Sequence, residues 1–141
     1  MKKNIRKSDK RFVVRRTPGK GLGLYTNVPF KRGELVLEYT GEKIPTPLAD
    51  TLTTRYLFEI DEKWTIDGSA RGNIARYINH SCDGNCETEI SEDDKILITA
   101  VRKIAPGDEL AYDYGEEYFD EFIKPTGCRC GSKDCRAPAK K

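Results

Sequence analysis

A chain of 141 residues, 37% hydrophobic and 34% charged, has the size of one domain and is too short for two independent cores. No apolar run approaches the ~18 residues of a membrane span, and the basic start MKKNIRKSDKR leads into no apolar segment of a signal peptide. A soluble, intracellular protein with no membrane partner is expected. The net charge of +2 is the small difference between 25 Lys and Arg and 23 Asp and Glu, and the two signs are segregated. Residues 1–20 hold nine bases and one acid, whereas 87–123 hold twelve acids and three bases. The basic start reads as a solvated segment, and the acidic stretch would attract a basic peptide.

Taken in chain order, short β-rich runs alternate with turn signals. RFVVRR (11–16), ELVLEY (34–39), RYLFEI (55–60), WTID (64–67), KILITAV (95–101) and ELAYDY (109–114) predict strands. The breaks fall at TPGKGLG, PFKRG, TGEKIPTP, DGSARGN, SEDDK and APGD, each supplied with Gly, Pro or Asp. A mainly β domain is expected. One exception is GNIARYINH, where Ile74, Tyr77 and Ile78 share a helical face, so a short helix should lead into YINHSCDGNC. After Tyr118 the chain becomes too poor in apolar residues to fold by burial, and something must staple it.

The five cysteines are an odd number, which disfavours a disulfide framework and favours metal binding. Cys128, Cys130 and Cys135 have the spacing C-x-C-x4-C, with Gly131 available for the turn between them. Three thiolates do not complete a tetrahedral structural zinc site. Cys82 and Cys86 are both candidates for the fourth, and for Cys86 simple burial is the better reading. A ligand so distant in sequence would clip the tail to the core and couple its folding to the metal.

Six segments resemble, in order, the motifs of the SET-domain protein lysine methyltransferases: GKGLGLY, LEYTGE, YLFEID, WTIDGSARGNIARYINHSCDGN, ELAYDYG and CRCGSKDC. The resemblance runs from about Phe12 to Arg136. It implies a basic segment at 1–11, a SET domain at 12–118 and a zinc-binding post-SET tail at 119–141. The implied fold is a set of short sheets around a C-terminal pseudoknot, in which the C-terminal segment passes through or beneath a loop near the Asn-His-Ser-Cys motif. Cys82 would then complete the zinc site with Cys128, Cys130 and Cys135. Gly84 stands where the family commonly has proline, and reads as a softer turn. Two departures stand out: no cysteine-rich region precedes Phe12, and only EKIPTPLADTLTTR fills the variable insert between Gly41 and Tyr56.

The resemblance also implies the chemistry, transfer of a methyl group from S-adenosylmethionine to a lysine ε-amine. A free lysine has a pKa of about 10.4, so holding it neutral at pH 7 costs roughly 4 to 5 kcal/mol. An aromatic channel and a nearby sulfonium charge would both lower that cost. Tyr114 matches the catalytic tyrosine, acting by orientation and electrostatics. Tyr112 matches the position where the family chooses between Phe and Tyr; a tyrosine there predicts mainly monomethylation. Tyr56 matches a position near both catalysis and cofactor, and Tyr39 joins Tyr112 and Tyr114 along the lysine channel. Lys20, Gly21, Leu22 and Gly23, then Arg76, Asn79, His80 and Arg129, match cofactor-contacting positions. Gly21 and Gly23 would let the backbone approach the ligand.

The implied partner is a basic protein or peptide, such as a histone, with nucleic acid not the main ligand. The short insert leaves a partner or a second copy of the chain, as a homodimer, to complete the peptide groove. The implied compartment is the cytoplasm of a prokaryote, or the nucleus or chromosome of a eukaryote or of a host reached by an effector. The competing reading is a catalytically inactive, zinc-stapled module that binds basic peptides.

Overall fold

The computed structural model describes residues 9–54, 56–115, 118–130, 132–133 and 135–137. Residues 1–8 of the basic segment, Arg55, Glu116 and Glu117 of the acidic stretch, and Gly131 with its expected turn lie outside the described residues. Ten short strands carry the chain: β1 (Phe12–Thr17), β2 (Gly21–Thr26), β3 (Leu35–Tyr39), β4 (Glu42–Pro45), β5 (Leu57–Glu59), β6 (Trp64–Asp67), β7 (Asn79–His80), β8 (Cys86–Ile90), β9 (Ile96–Ala100) and β10 (Ala111–Tyr112). A four-residue helix, α1 (Thr46–Ala49), a 3-10 turn at Ile74–Tyr77 and a π-helical turn at Phe119–Ile123 complete the described elements.

The strands form four small sheets rather than one. β1 and β2 make an antiparallel hairpin, with Thr17 opposite Gly21. The antiparallel orders β3-β9-β8 and β4-β6-β5 make two three-stranded sheets. β9 shows why its sheet holds: Ile96, Ile98 and Ala100 alternate inward, and Ile96 and Ile98 are fully buried. In β3 the register shifts between Leu35 and Leu37. A bulge of this kind turns two successive residues to one side, which accounts for Val36 and Leu37 both lying in the core.

Two expected breaks prove to be structured. Lys20 N–H closes onto Thr17 O at 3.0 Å and Gly19 has φ +79, so the hairpin turn is complete before Gly21, and Gly21–Leu22–Gly23 is already strand. Likewise Glu42–Pro45 pairs with β6 and α1 follows directly, with Thr46 Oγ1 bonded to Asp61 O and Thr65 Oγ1 at 2.9 Å each. The expected helix at GNIARYINH is a single 3-10 turn. Ala75 is its buried residue, Ile78 just after it is also buried, and Ile74 and Tyr77 pack half-buried on the core.

The smallest sheet positions the site. β10 runs parallel to β7, pairing Ala111 with Asn79 and Tyr112 with His80. Ser81 N–H bonds to Tyr112 O at 3.1 Å, and the Asn85 amide brackets the incoming strand, donating to Glu109 O and accepting from Ala111 N–H, both at 2.9 Å. Thus β10 lies under the Ser81–Asn85 loop, as the pseudoknot requires. The φ of Gly84 is not left-handed, so a special backbone conformation does not call for the glycine. Space is the reason for the glycine: a Cβ there would sit 2.4 Å from Ala111 O.

Candidate active site and cysteine cluster

The parallel pair β7–β10, the hairpin turn, α1, β5 and the π-helical turn surround a cavity of about 870 Å³. Of the residues singled out in the sequence, Lys20, Leu22, Tyr39, Tyr56, Arg76, Asn79, His80, Tyr112, Tyr114 and Arg129 line it. Gly21 and Gly23 are not among the lining residues. Gly21 has φ +80 with open space beside it, so its glycine serves the backbone conformation.

Gly23 serves packing. A Cβ would lie 2.4 Å from Thr17 Oγ1 and 2.6 Å from Glu109 Oε2. Glu109, which the sequence reading missed, is therefore a hub: its carboxylate accepts from Asn79 Nδ2 at 2.9 Å and faces Lys20 Nζ at 4.0 Å. Its position immediately before the LAYDYG run was the one available signal. Gly23→Ala should displace the Glu109 carboxylate and destabilise the protein by about 1–3 kcal/mol. Urea unfolding reads this directly, and an unchanged midpoint would mean that Glu109 does not depend on that space.

Aromatic rings form the inner wall. Tyr112 is buried, its ring 5.2 Å from Tyr114, and Tyr118 meets Tyr114 edge-on at 4.9 Å. Tyr39 packs 5.5 Å from Phe58 and donates its hydroxyl to Tyr56 O at 2.9 Å. The Tyr114 hydroxyl donates to Ile78 O. Burial, then the neighbouring phenols Tyr118 and Tyr39, push the Tyr114 pKa far above the ordinary tyrosine value. The phenol is consequently neutral at physiological pH, with its one proton committed to Ile78 O. Tyr118, Phe58 and Phe122, also in the wall, were not assigned from the sequence.

Cations and acids divide the rim. Lys20 and Arg129 belong to the hairpin-turn side, where a Cβ on Gly19 would be 3.9 Å from Arg129 Cδ. Asp50 and Glu59 belong to the α1 and β5 side. Arg76 stacks between Tyr56 and Tyr77, its guanidinium carbon 4.6 and 5.0 Å from their ring centres, and donates to Ser69 O. Its Nε is the buried side-chain polar atom that has no partner among the described residues. An orphaned donor in a cavity wall fits a ligand acceptor there. Asn79 commits its NH2 to Leu22 O and Glu109, leaving Oδ1 to offer.

His80 is buried, and burial, outweighing the opposing pull of Asp113, lowers its pKa below the usual histidine value. The neutral ring accepts Tyr114 N–H at Nδ1, 3.1 Å away, and its Nε2 lies 3.5 Å from Cys82 Sγ. Beyond it, the Sγ atoms of Cys82, Cys128, Cys130 and Cys135 lie within 4.8 Å of one another. Four sulfurs at about 2.3 Å from one zinc would stand roughly 3.8 Å apart, so this donor set fits a tetrahedral ion with slight contraction. Burial pushes the Cys130 thiol up, but the Ser132 hydroxyl and the Cys82 backbone bring it down to about 6, the thiolate side at neutral pH. Cys86 stands apart, 4% exposed in the core, with burial pushing its thiol up to about 12.

A family profile for the SET domain matches residues 21–115. The chain is 41% identical over 127 residues to the histone-lysine N-methyltransferase trithorax of Drosophila virilis, covering 82% of this chain and 3% of that protein. It is 40% identical over 126 residues to an H3 lysine-4 specific histone-lysine N-methyltransferase of Emericella nidulans, covering 81% and 10%. The corresponding Saccharomyces cerevisiae protein matches at 35% over 144 residues, covering 94% and 13%. The chain thus spans only a small part of the length of these curated relatives. With β10 drawn under the Asn-His-Ser-Cys loop, the tyrosines gathered beside it and the profile matching most of its length, the chain belongs to the SET-domain family.

Proposed function

We propose that this domain is a protein-lysine N-methyltransferase that uses S-adenosylmethionine and acts on a basic protein, with a histone as the first candidate. The observation that carries this reading is a neutral, half-buried phenol, Tyr114, set among the rings of Tyr112, Tyr118 and His80 beside a cavity large enough for cofactor and side chain. S-adenosylmethionine supplies an electrophilic methyl group. The chain supplies the surroundings: Lys20, Arg129, Asn79 Oδ1 and the orphaned Arg76 Nε are the groups that would hold the polar parts of the cofactor.

The tyrosine wall strips water from an entering lysine and favours its neutral amine, while the Tyr114 hydroxyl orients the acceptor. Asp50 and Glu59 on the rim suit a basic peptide. Residues 12–118 form the catalytic unit, and 119–141 are a tail stapled by one structural zinc ion on Cys82, Cys128, Cys130 and Cys135. A histone substrate, supported by relatives that are histone-lysine N-methyltransferases, would place the reaction on chromatin.

The test is incubation of purified protein with isotope-labelled S-adenosylmethionine and core histones, with modified residues located by mass spectrometry. Label on lysine is expected. Cofactor binding without transfer to any basic protein would overturn the reading in favour of a zinc-stapled module. The main product on this reading is monomethyl-lysine, supported by a buried tyrosine at position 112 with its ring 5.2 Å from that of Tyr114, whose hydroxyl would fill space that a second methyl group needs. Tyr112→Phe vacates that space and should raise the share of dimethyl product by about tenfold, a barrier change of roughly 1.4 kcal/mol; an unchanged mono-to-dimethyl ratio would remove Tyr112 from this role.

A further inference from the structure

We propose that His80 is a positioning residue whose two ring nitrogens join the cysteine cluster to the backbone of Tyr114. The ring is boxed in: Tyr114 packs edge-on at 5.4 Å and Phe119 at 5.3 Å, and Phe119 is capped by the Arg136 guanidinium at 4.1 Å. Asp113 does not claim the imidazole. Its carboxylate is 3.8 Å from Nδ1 and bonds instead to Gly115 N–H at 2.9 Å and Arg136 at 3.0 Å. Nδ1 accepts Tyr114 N–H, so the neutral ring carries its proton on Nε2. That N–H points to Cys82 Sγ, at 3.5 Å a normal length for a bond to sulfur.

Each bond has a distinct consequence. An N–H donated to Cys82 fixes the sulfur's direction, as outer partners of metal ligands do. The bond at Nδ1 fixes the Tyr114 amide, and hence the strand end from which the phenol reaches Ile78 O. A disturbance at Cys82 is therefore felt at Tyr114 through one rigid ring. The Tyr114 half of this inference rests on the methyltransferase reading for its catalytic meaning; the Cys82 half does not.

Two substitutions separate the halves. The Oδ1 of His80→Asn takes the place of Nδ1 but cannot reach Cys82, whereas the Nε2 of His80→Gln reaches Cys82 and leaves Tyr114 N–H without its acceptor. Zinc-loaded wild type and variants would be compared for zinc transfer to a chromophoric chelator, for exchange of the Tyr114 amide by NMR, and for kcat and KM. The expected pattern is zinc transfer about tenfold faster in His80→Asn with the Tyr114 amide still protected, and the reverse in His80→Gln, with kcat reduced about tenfold and KM for S-adenosylmethionine changed less than about threefold. Parallel changes of both readouts in both variants would reduce His80 to packing and overturn the proposal. So would a raised KM for S-adenosylmethionine in both with zinc transfer and amide exchange unchanged, since the ring would then serve the cofactor. Zinc transfer and amide exchange need no turnover, so a protein that methylates nothing would defeat the enzyme reading while the link itself is still decided.

Discussion

Tyr114→Phe should lower kcat by about 10²- to 10³-fold, the cost of losing one oriented hydrogen-bonding group beside a reacting centre, equivalent to roughly 2.7–4 kcal/mol. The substitution is clean because phenylalanine keeps the ring contacts with Tyr112, Tyr118 and His80. Only the hydroxyl and its bond to Ile78 O are lost. One neutral hydrogen bond contributes about 0.5–1.5 kcal/mol to stability, so the variant should fold and melt close to wild type. Cofactor affinity, measured by titration calorimetry, should stay within about threefold, because the loss falls on the transition state and not on uniform binding. The pH profile gives a second check. Burial keeps the phenol protonated far beyond the working range, so the wild-type profile should carry no limb assignable to its ionisation. A Tyr114→Phe enzyme with unchanged kcat would remove this residue from the chemistry.

How much of this could be read from the chain differs by element. The strand at KILITAV was legible because β-branched residues alternate and one face is the core. CETEI (86–90), by contrast, turns Glu87 and Glu89 to solvent and reads as polar, although it pairs along its whole length with β9. Gly21–Thr26 was hidden by its glycines, which are there for a left-handed φ and for the Glu109 carboxylate. The β7–β10 pairing is two residues long and spans more than thirty positions, so no local periodicity reports it. For the same reason spacing alone left both Cys82 and Cys86 as candidates for the fourth ligand, with burial the better reading for Cys86. The fold separates them, one among the tail cysteines and the other against Ala100 in the core. Glu109 was illegible because its role comes from what meets it, Asn79 and Gly23, and not from its own neighbours. Resemblance supplied what pattern could not, since the motif fixes the long-range partner that a period of two or 3.6 cannot encode.

Stripping the metal should unfold the tail while leaving the sheets in place. Among the described residues after Tyr118, only Phe119 and Cys128 are buried apolar residues, far too little to offset roughly 1–2 kcal/mol of backbone entropy per ordered residue. The fourth sulfur, Cys82, belongs to the core side, so an ion held by the four would fasten the tail to the domain. Binding of a structural zinc contributes about 10–16 kcal/mol in small peptides, enough to decide folding of such a segment outright. Hydrogen exchange followed by mass spectrometry, with and without a strong chelator, should report loss of protection across Lys124–Arg136 and continued protection of Ile96–Ala100, whose strand is central and buried. Activity should vanish with the tail because Arg129, Cys128 and Cys130 form part of the cavity wall. Added zinc should restore both. Cys135→Ser tests the same point without chelator: it removes one sulfur at a half-buried position that is not itself part of the cavity wall. If the tail stayed protected in the chelated protein, the cysteine cluster would not be its staple, and the packing of Phe119 between His80 and Arg136 would have to hold it alone.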